Sequence, residues 1–135
     1  MTALVSACLL GFPCRHDGQD KRDARVLSAL RGHEIVPICP EVAGGLGIPR
    51  APAWHREGRI EDATGRDVTE QFRAGAAESV AAARAHFVHF AILKQNSPSC
   101  GTLMTGTSQG RRPGRGVAAQ ALLDAGIETK GEDQL

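Results

Sequence analysis

Short apolar segments alternate along this chain with segments of helical periodicity, and this alternation restricts the fold more than any other feature. Leu4-Val5-Ser6-Ala7 is of strand type. Arg22 to Leu30 follows, with Val26, Leu27 and Leu30 at helical spacing and Gly32 where a C-cap belongs. Glu34-Ile35-Val36-Pro37-Ile38 reads as the next strand. Thr69 is a good N-cap for a helix to about Ala85, with Phe72, Ala76, Val80 and Ala83 on one face. Phe87 to Leu93 is a nearly continuous apolar run, as expected for a strand buried on both faces. Gly116 to Ala125 reads as a helix stopped by Gly126, and Ile127-Glu128-Thr129 as a last short strand. Strands alternating with helices predict an α/β domain with a mainly parallel sheet. Such sheets take their ligands outside the carboxyl ends of the strands. At 135 residues, a single domain spanning 1–135 is expected.

The rest of the chain is punctuated by glycine and proline. Glu41 to Trp54 carries Gly44, Gly45, Gly47, Pro49 and Pro52 and reads as a long irregular loop, a type that often carries function. Arg59-Ile60-Glu61-Asp62 and Arg66-Asp67-Val68 flank Ala63-Thr64-Gly65 as a small hairpin. Lys94 to Gly101 is a loop, and Thr102 to Arg115 reads as extended or mobile.

Each strand of the first half, and the buried one of the second, leads into a cysteine. Cys8 follows the first strand, Cys39 ends the second, and Cys100 lies in the loop after Leu93. In a parallel sheet those carboxyl ends share one edge, so three residues distant in sequence become neighbours. Three thiolates together repel unless a cation offsets them. Soft sulfur ligands select zinc, copper(I) or an iron–sulfur cluster. A four-iron cluster normally takes four protein ligands, so three would leave one iron open. Cys14 stands only six residues after Cys8. It could close such a site as a fourth ligand, giving a non-catalytic zinc or iron–sulfur module, or pair with Cys8 as a thiol-redox couple.

Composition excludes other classes. Sixteen Lys+Arg against fifteen Asp+Glu give a net charge of +1, no basis for binding a nucleic-acid polymer or an anionic membrane. Four Phe, one Trp and no Tyr offer no base-stacking platform. No apolar run approaches a membrane span, and the first residues lack a basic start and long apolar stretch. A cytoplasmic protein is expected, and there free or metal-bound cysteines are the rule.

Glu41, two residues beyond Cys39, and Ser97, three before Cys100, belong to the same edge. A carboxylate there could act as general base or acid, and a hydroxyl could position water. Spacing does not separate those roles from a solvated Glu and a Ser capping a turn before Pro98. Lys94 could offset an anionic cluster or simply snorkel at the sheet edge. Arg15, His16 and Asp17 could contact a polar ligand or only form a turn. His33, His55, His86 and His89 lack metal-binding spacing and receive no role. The helix start at Gly116-Val117 could receive an anion.

Val5-Ser6-Ala7-Cys8-Leu9-Leu10-Gly11, Cys14-Arg15-His16-Asp17-Gly18, Pro37-Ile38-Cys39-Pro40-Glu41 and Ser97-Pro98-Ser99-Cys100-Gly101 together resemble the thiouracil desulfidase family. Gly44-Gly45-Leu46 with Pro49-Arg50, Gly65 to Thr69 and Gly116-Val117 extend the likeness over nearly the whole chain. The resemblance implies a three-layer, Rossmann-like α/β fold and a [4Fe-4S] cluster on Cys8, Cys39 and Cys100. It implies non-redox desulfuration of a thiolated uracil or related thiocarbonyl compound, with Glu41 and Ser97 as the catalytic pair. Cys14 matches a family cysteine not expected to ligate. The partner implied is a small thiolated pyrimidine, and the protein would be a monomer or small homo-oligomer. His16 stands where the family usually has Tyr, Trp54 where it is commonly acidic, and Met104-Thr105-Gly106 where Tyr-Asp-Gly is usual. Such positions bear on substrate identity, because pocket-lining groups set specificity.

Overall fold

The structure is a computed structural model that describes residues 1–107 and 110–135. Its centre is a sheet of four strands, β1 (Thr2–Ser6), β2 (Glu34–Ile38), β5 (Phe90–Leu93) and β8 (Glu128–Gly131). Their spatial order is β2-β1-β5-β8 and every pairing is parallel. The chain turns one way from β1 to β2 and the other way to β5. Strand order therefore reverses between β1 and β5, which is where an open parallel sheet leaves a crevice at its carboxyl ends.

Side chains alternate across the sheet, so each strand feeds two cores. Ala3 and Val5 face one side with Ile92, and pack with Val26 and Leu30 around α1 (Ala24–Ala29). Leu4, Ala91 and Leu93 face the other, against Ala83 of α3 (Thr69–Ala85) and Ala119 and Leu122 of α4 (Val117–Asp124). The result is a three-layer α/β fold, as the alternation of elements predicts.

The short helix α2 (Pro40–Ala43) starts directly after β2, with Cys39 as its N-cap and Pro40 in its first turn. It therefore occupies the start of the segment read as irregular loop. The predicted hairpin shifts as well. β4 (Arg59–Asp62) pairs with β3 (Ala53–Arg56), which precedes it, and meets the later segment in one bridge, Glu61 to Asp67. The turn explains this. Glu57 and Gly58 both have positive φ, 50° and 79°, the backbone of a two-residue hairpin turn matching strand twist.

Thr69 is the first residue of α3 rather than its cap, and its Oγ1 accepts the Ile60 amide at 2.8 Å, tying helix to hairpin. The apolar run 87–93 is only partly strand: β5 begins at Phe90, and Phe87, with φ of 53°, is 82% exposed. Part of the 102–115 segment forms an antiparallel hairpin, β6 (Met104–Thr107) with β7 (Gly110–Pro113). Positions 108 and 109 of that stretch lie outside the described residues. Among the described residues no helix is long and apolar enough to cross a membrane.

Candidate active site

The carboxyl ends of β1, β2 and β5 border a cavity of about 380 Å³. Cys8, Cys14, Cys39, Cys100, Glu41 and Ser97 all line it, with Arg15, His16, Arg50 and Lys94. The cysteines, Glu41, Ser97, Lys94, Arg15 and His16 thus share one crevice, whereas Asp17 does not line it and instead accepts the Gln19 amide at 3.0 Å, closing a turn. The crevice lies at the reversal of strand order.

Each cysteine arrives there for a local reason. Cys8 lies in one turn of 3-10 helix, Ala7–Leu10, that leaves β1. Cys39 holds extended backbone between β2 and α2. Cys100 sits on a turn tightened by Ser97, whose Oγ accepts the amides of Ser99 (3.2 Å) and Cys100 (3.1 Å). The turn is anchored from behind by α4. Amides of Gly116, Val117 and Ala118 donate to the carbonyls of Gly101, Pro98 and Ser99 at 2.7, 3.0 and 2.9 Å. Those amides are the free donors of a helix start, and here the loop carbonyls satisfy them. The expectation of an anion at Gly116-Val117 is therefore overturned: the donors are already taken.

All four cysteines are free thiols, so the Cys8–Cys14 pairing considered from the sequence is not formed. Burial pushes the Cys8 thiol up to about 11, and the neighbouring Cys39 adds to the shift. Burial pushes Cys100 up to about 12, with repulsion from Cys8 contributing. Cys39 moves the other way, because a hydrogen bond from the Cys14 thiol favours its thiolate, and the same bond pushes Cys14 up. Buried sulfurs close enough to disfavour one another's ionisation suit a cationic metal body that offsets the repulsion. Among the described residues no three His, Cys, Asp or Glu side chains are grouped to hold a single metal ion. The donor set fits a polynuclear centre, whose sulfurs stand around a cage rather than converge on a point.

Beside the thiols runs a chain of hydrogen bonds. Ser97 Oγ and Ser99 Oγ are 3.0 Å apart, and Ser99 Oγ donates to Glu41 Oε2 at 3.1 Å. The other carboxylate oxygen, Oε1, accepts from Arg50 Nε at 3.2 Å. Arg50 also donates to the carbonyls of Gly47 (3.1 Å) and Cys14 (3.0 Å), which fixes the guanidinium. Lys94 Nζ donates to Glu132 Oε1 at 2.9 Å, and Glu132 Oε2 accepts the Gln95 amide at 2.8 Å. Gln95 Oε1 accepts the amides of Thr102, Leu103 and Met104 and closes the loop on itself. His55 Nε2 lies 2.9 Å from the Pro98 carbonyl and braces the same loop from β3. Asn96, also lining the cavity, has φ of 65° and a buried Oδ1 with no partner among the described residues.

Sequence reasoning assigned no role to Ser99, Arg50 or His55. For Ser99 a signal existed: two hydroxyls flanking Pro98 on a turn can bond to each other. For Arg50 and His55 nothing in the spacing distinguishes them from surface residues.

With the geometry in hand, comparison with known proteins is informative. A model of the family described as 2-thiouracil desulfurase matches residues 3–134. The Bacillus subtilis (strain 168) protein YbbK, described as uncharacterized, is 37% identical over 145 residues, covering 98% of this chain and 96% of its own. A solved structure of TudS, a [4Fe-4S]-dependent thiouracil desulfidase, is 39% identical, with a TM-score of 0.92 over 99% of this chain and 92% of that one. The match runs from β1 through the last strand, across every element that borders the cavity, and the chain belongs to the 2-thiouracil desulfurase family.

Proposed function

We propose that this protein is a [4Fe-4S]-dependent desulfidase that converts a thiolated uracil, or a related small thiocarbonyl compound, to its oxo form without net redox change. The observation that carries this is the gathering of four cysteines, a carboxylate and a hydroxyl on one cavity. Cys8, Cys39 and Cys100 would hold the cluster, and Cys14 would stay a thiol beside Cys39. When bound, the cluster supplies a Lewis-acidic iron that withdraws electron density from the thiocarbonyl.

The chain's own groups do the rest. Glu41, held at Oε1 by Arg50, takes a proton from the attacking water. Ser97, fixed by two backbone amides, orients the substrate and the water beside it. The cavity, at about 380 Å³, falls in the range of small-molecule pockets, about 300–1,000 Å³. Residues 1–135 would act as one domain, in the cytoplasm, as a monomer or small homo-oligomer.

The deciding experiment is anaerobic turnover of 2- and 4-thiouracil by reconstituted protein, comparing wild type with Glu41→Ala. The proposal requires release of hydrosulfide with the oxo product by wild type, and loss of that activity in the variant with iron content retained. Wild-type protein that takes up a cluster and turns over neither compound would sink the thiouracil assignment.

A further inference from the structure

The catalytic pair assigned above is not a pair of independent groups. Glu41 and Ser97 stand 56 residues apart in sequence, and the structure joins them through one buried hydroxyl. Ser99 is 1% exposed. Its Oγ lies 3.1 Å from Glu41 Oε2 and 3.0 Å from Ser97 Oγ. A hydroxyl carries one proton, and a carboxylate only accepts. Ser99 Oγ gives its one proton to Glu41 Oε2, so the Ser97 proton points to Ser99. The direction of the whole chain is set at its carboxylate end.

We propose that Ser99 is a positioning residue that makes Glu41 and Ser97 one proton-relay unit, carrying a proton from the attacking water to the sulfur that leaves. This rests on the desulfidase reading. Hydrolysis of a thiocarbonyl, C=S plus H₂O giving C=O plus H₂S, breaks two O–H bonds of water and forms two S–H bonds. Two protons must therefore travel from the oxygen side of the substrate to the sulfur side, one from the attacking water and one from the hydroxyl it leaves on carbon. Glu41 takes the first from water and becomes a carboxylic acid. A protonated Glu41 no longer draws the Ser99 proton, so both hydroxyls turn over, and Glu41 then donates to Ser99 Oγ as Ser99 passes its own proton to Ser97 Oγ. Ser97 in turn releases its proton to the departing sulfur. Glu41 returns to carboxylate and each serine ends with one proton, so the unit is reset to carry the second proton by the same route; sulfur leaves as H₂S and there is no net redox change. Arg50 has a separate part: by occupying Oε1 it leaves Oε2 to face Ser99.

Ser99 Oγ also lies 3.7 Å from Cys100 Sγ, which supplies the rival explanation, that Ser99 serves only to steady a cluster ligand. The experiment separates the two. Ser99→Ala is reconstituted anaerobically, and its iron content and visible spectrum are compared with wild type before thiouracil turnover is measured. The relay predicts wild-type iron and spectrum, unchanged KM, and kcat lowered about 10²-fold, the usual weight of a general acid–base contribution. It also predicts a bowed dependence of kcat on deuterium fraction in wild type, from several protons moving together, that becomes linear in Ser99→Ala. Ser97→Ala and the double variant Ser97→Ala/Ser99→Ala should then be equally slow, because groups acting as one unit are not additive. Ser99→Thr, which keeps the hydroxyl, should recover activity.

Cluster loss in Ser99→Ala, wild-type kcat in that variant, or additive losses in the double variant would each overturn the relay. Absence of turnover in wild type would instead defeat the desulfidase reading itself.

Discussion

Gly75→Ala tests how closely the position of Glu41 depends on a contact remote from the chemistry. Gly75 lies inside α3, where α2 crosses it, and a Cβ there would overlap the Pro40 carbonyl oxygen. It would also stand 2.7 Å from the Pro40 carbonyl carbon, where ordinary contact begins at 3.4 Å, and the oxygen is nearer still, so α2 has to retreat by more than about 0.7 Å. Glu41 is the next residue. Carried with its helix, its 3.1 Å contact to Ser99 opens past about 3.8 Å, beyond useful hydrogen-bond length. Misplacement on this scale is expected to cost about 10²-fold in kcat.

Stability should fall as well, since the clash is with backbone that cannot rotate away. Alanine gains about 1 kcal/mol of helix propensity over glycine, and overpacking costs about 1–3 kcal/mol. A clash with backbone belongs at the upper end of that range, so the net loss is about 2 kcal/mol, which lowers Tm by about 5–10 °C. The assay pairs thermal unfolding followed by circular dichroism with anaerobic thiouracil turnover at matched iron content. A folded Gly75→Ala with wild-type kcat would refute the reasoning, since it would mean that α2 can move without disturbing Glu41.

Three further outcomes are expected. Cys8→Ala, Cys39→Ala and Cys100→Ala should each fail to retain iron after anaerobic reconstitution, while Cys14→Ala retains it, as measured by iron and sulfide analysis. Lys94→Met leaves the carboxylate of Glu132, 12% exposed, without its cation. It should destabilise the protein by about 3 kcal/mol in urea unfolding, the scale for breaking an enclosed ion pair. Arg50→Lys keeps the charge but not the three-way fork to Glu41, Gly47 and Cys14. It should lower kcat with little change in cluster content, because Lys and Arg are not equivalent at a branched site.

The fold was legible where burial wrote a pattern into the sequence. Leu4-Val5 and Ala91-Ile92-Leu93 lie between two helical layers, so their apolar runs announce strands whose carboxyl ends must meet, and three cysteines at those ends follow. The hairpin of Ala53–Arg56 with Arg59–Asp62 was not legible in that way. Trp54-His55-Arg56 shows no apolar alternation, and the deciding information is the conformation of Glu57-Gly58. Phe87 misled for the opposite reason: it is apolar yet projects into solvent at the turn leaving α3, where local backbone outweighs residue type. At the site, the thiols and Glu41 could be inferred from strand ends. Ser99 and Arg50 could not be given roles, because their partner is one carboxylate set down by a helix of four residues. Roles that exist only as contacts between distant segments leave no periodicity to read.

The joining of the α4 amides to the carbonyls of Pro98, Ser99 and Gly101 has a consequence for local opening. The first turn of the helix and the loop bearing Cys100 and Ser97 share the same hydrogen bonds, so neither can come loose while the other stays formed. They make one cooperative unit in the sense of native-state exchange. Amide protons of residues 116–119 should exchange with solvent at a common rate set by opening of that unit. A ligand or cluster seated among the cysteines would slow exchange at the start of a helix it never touches.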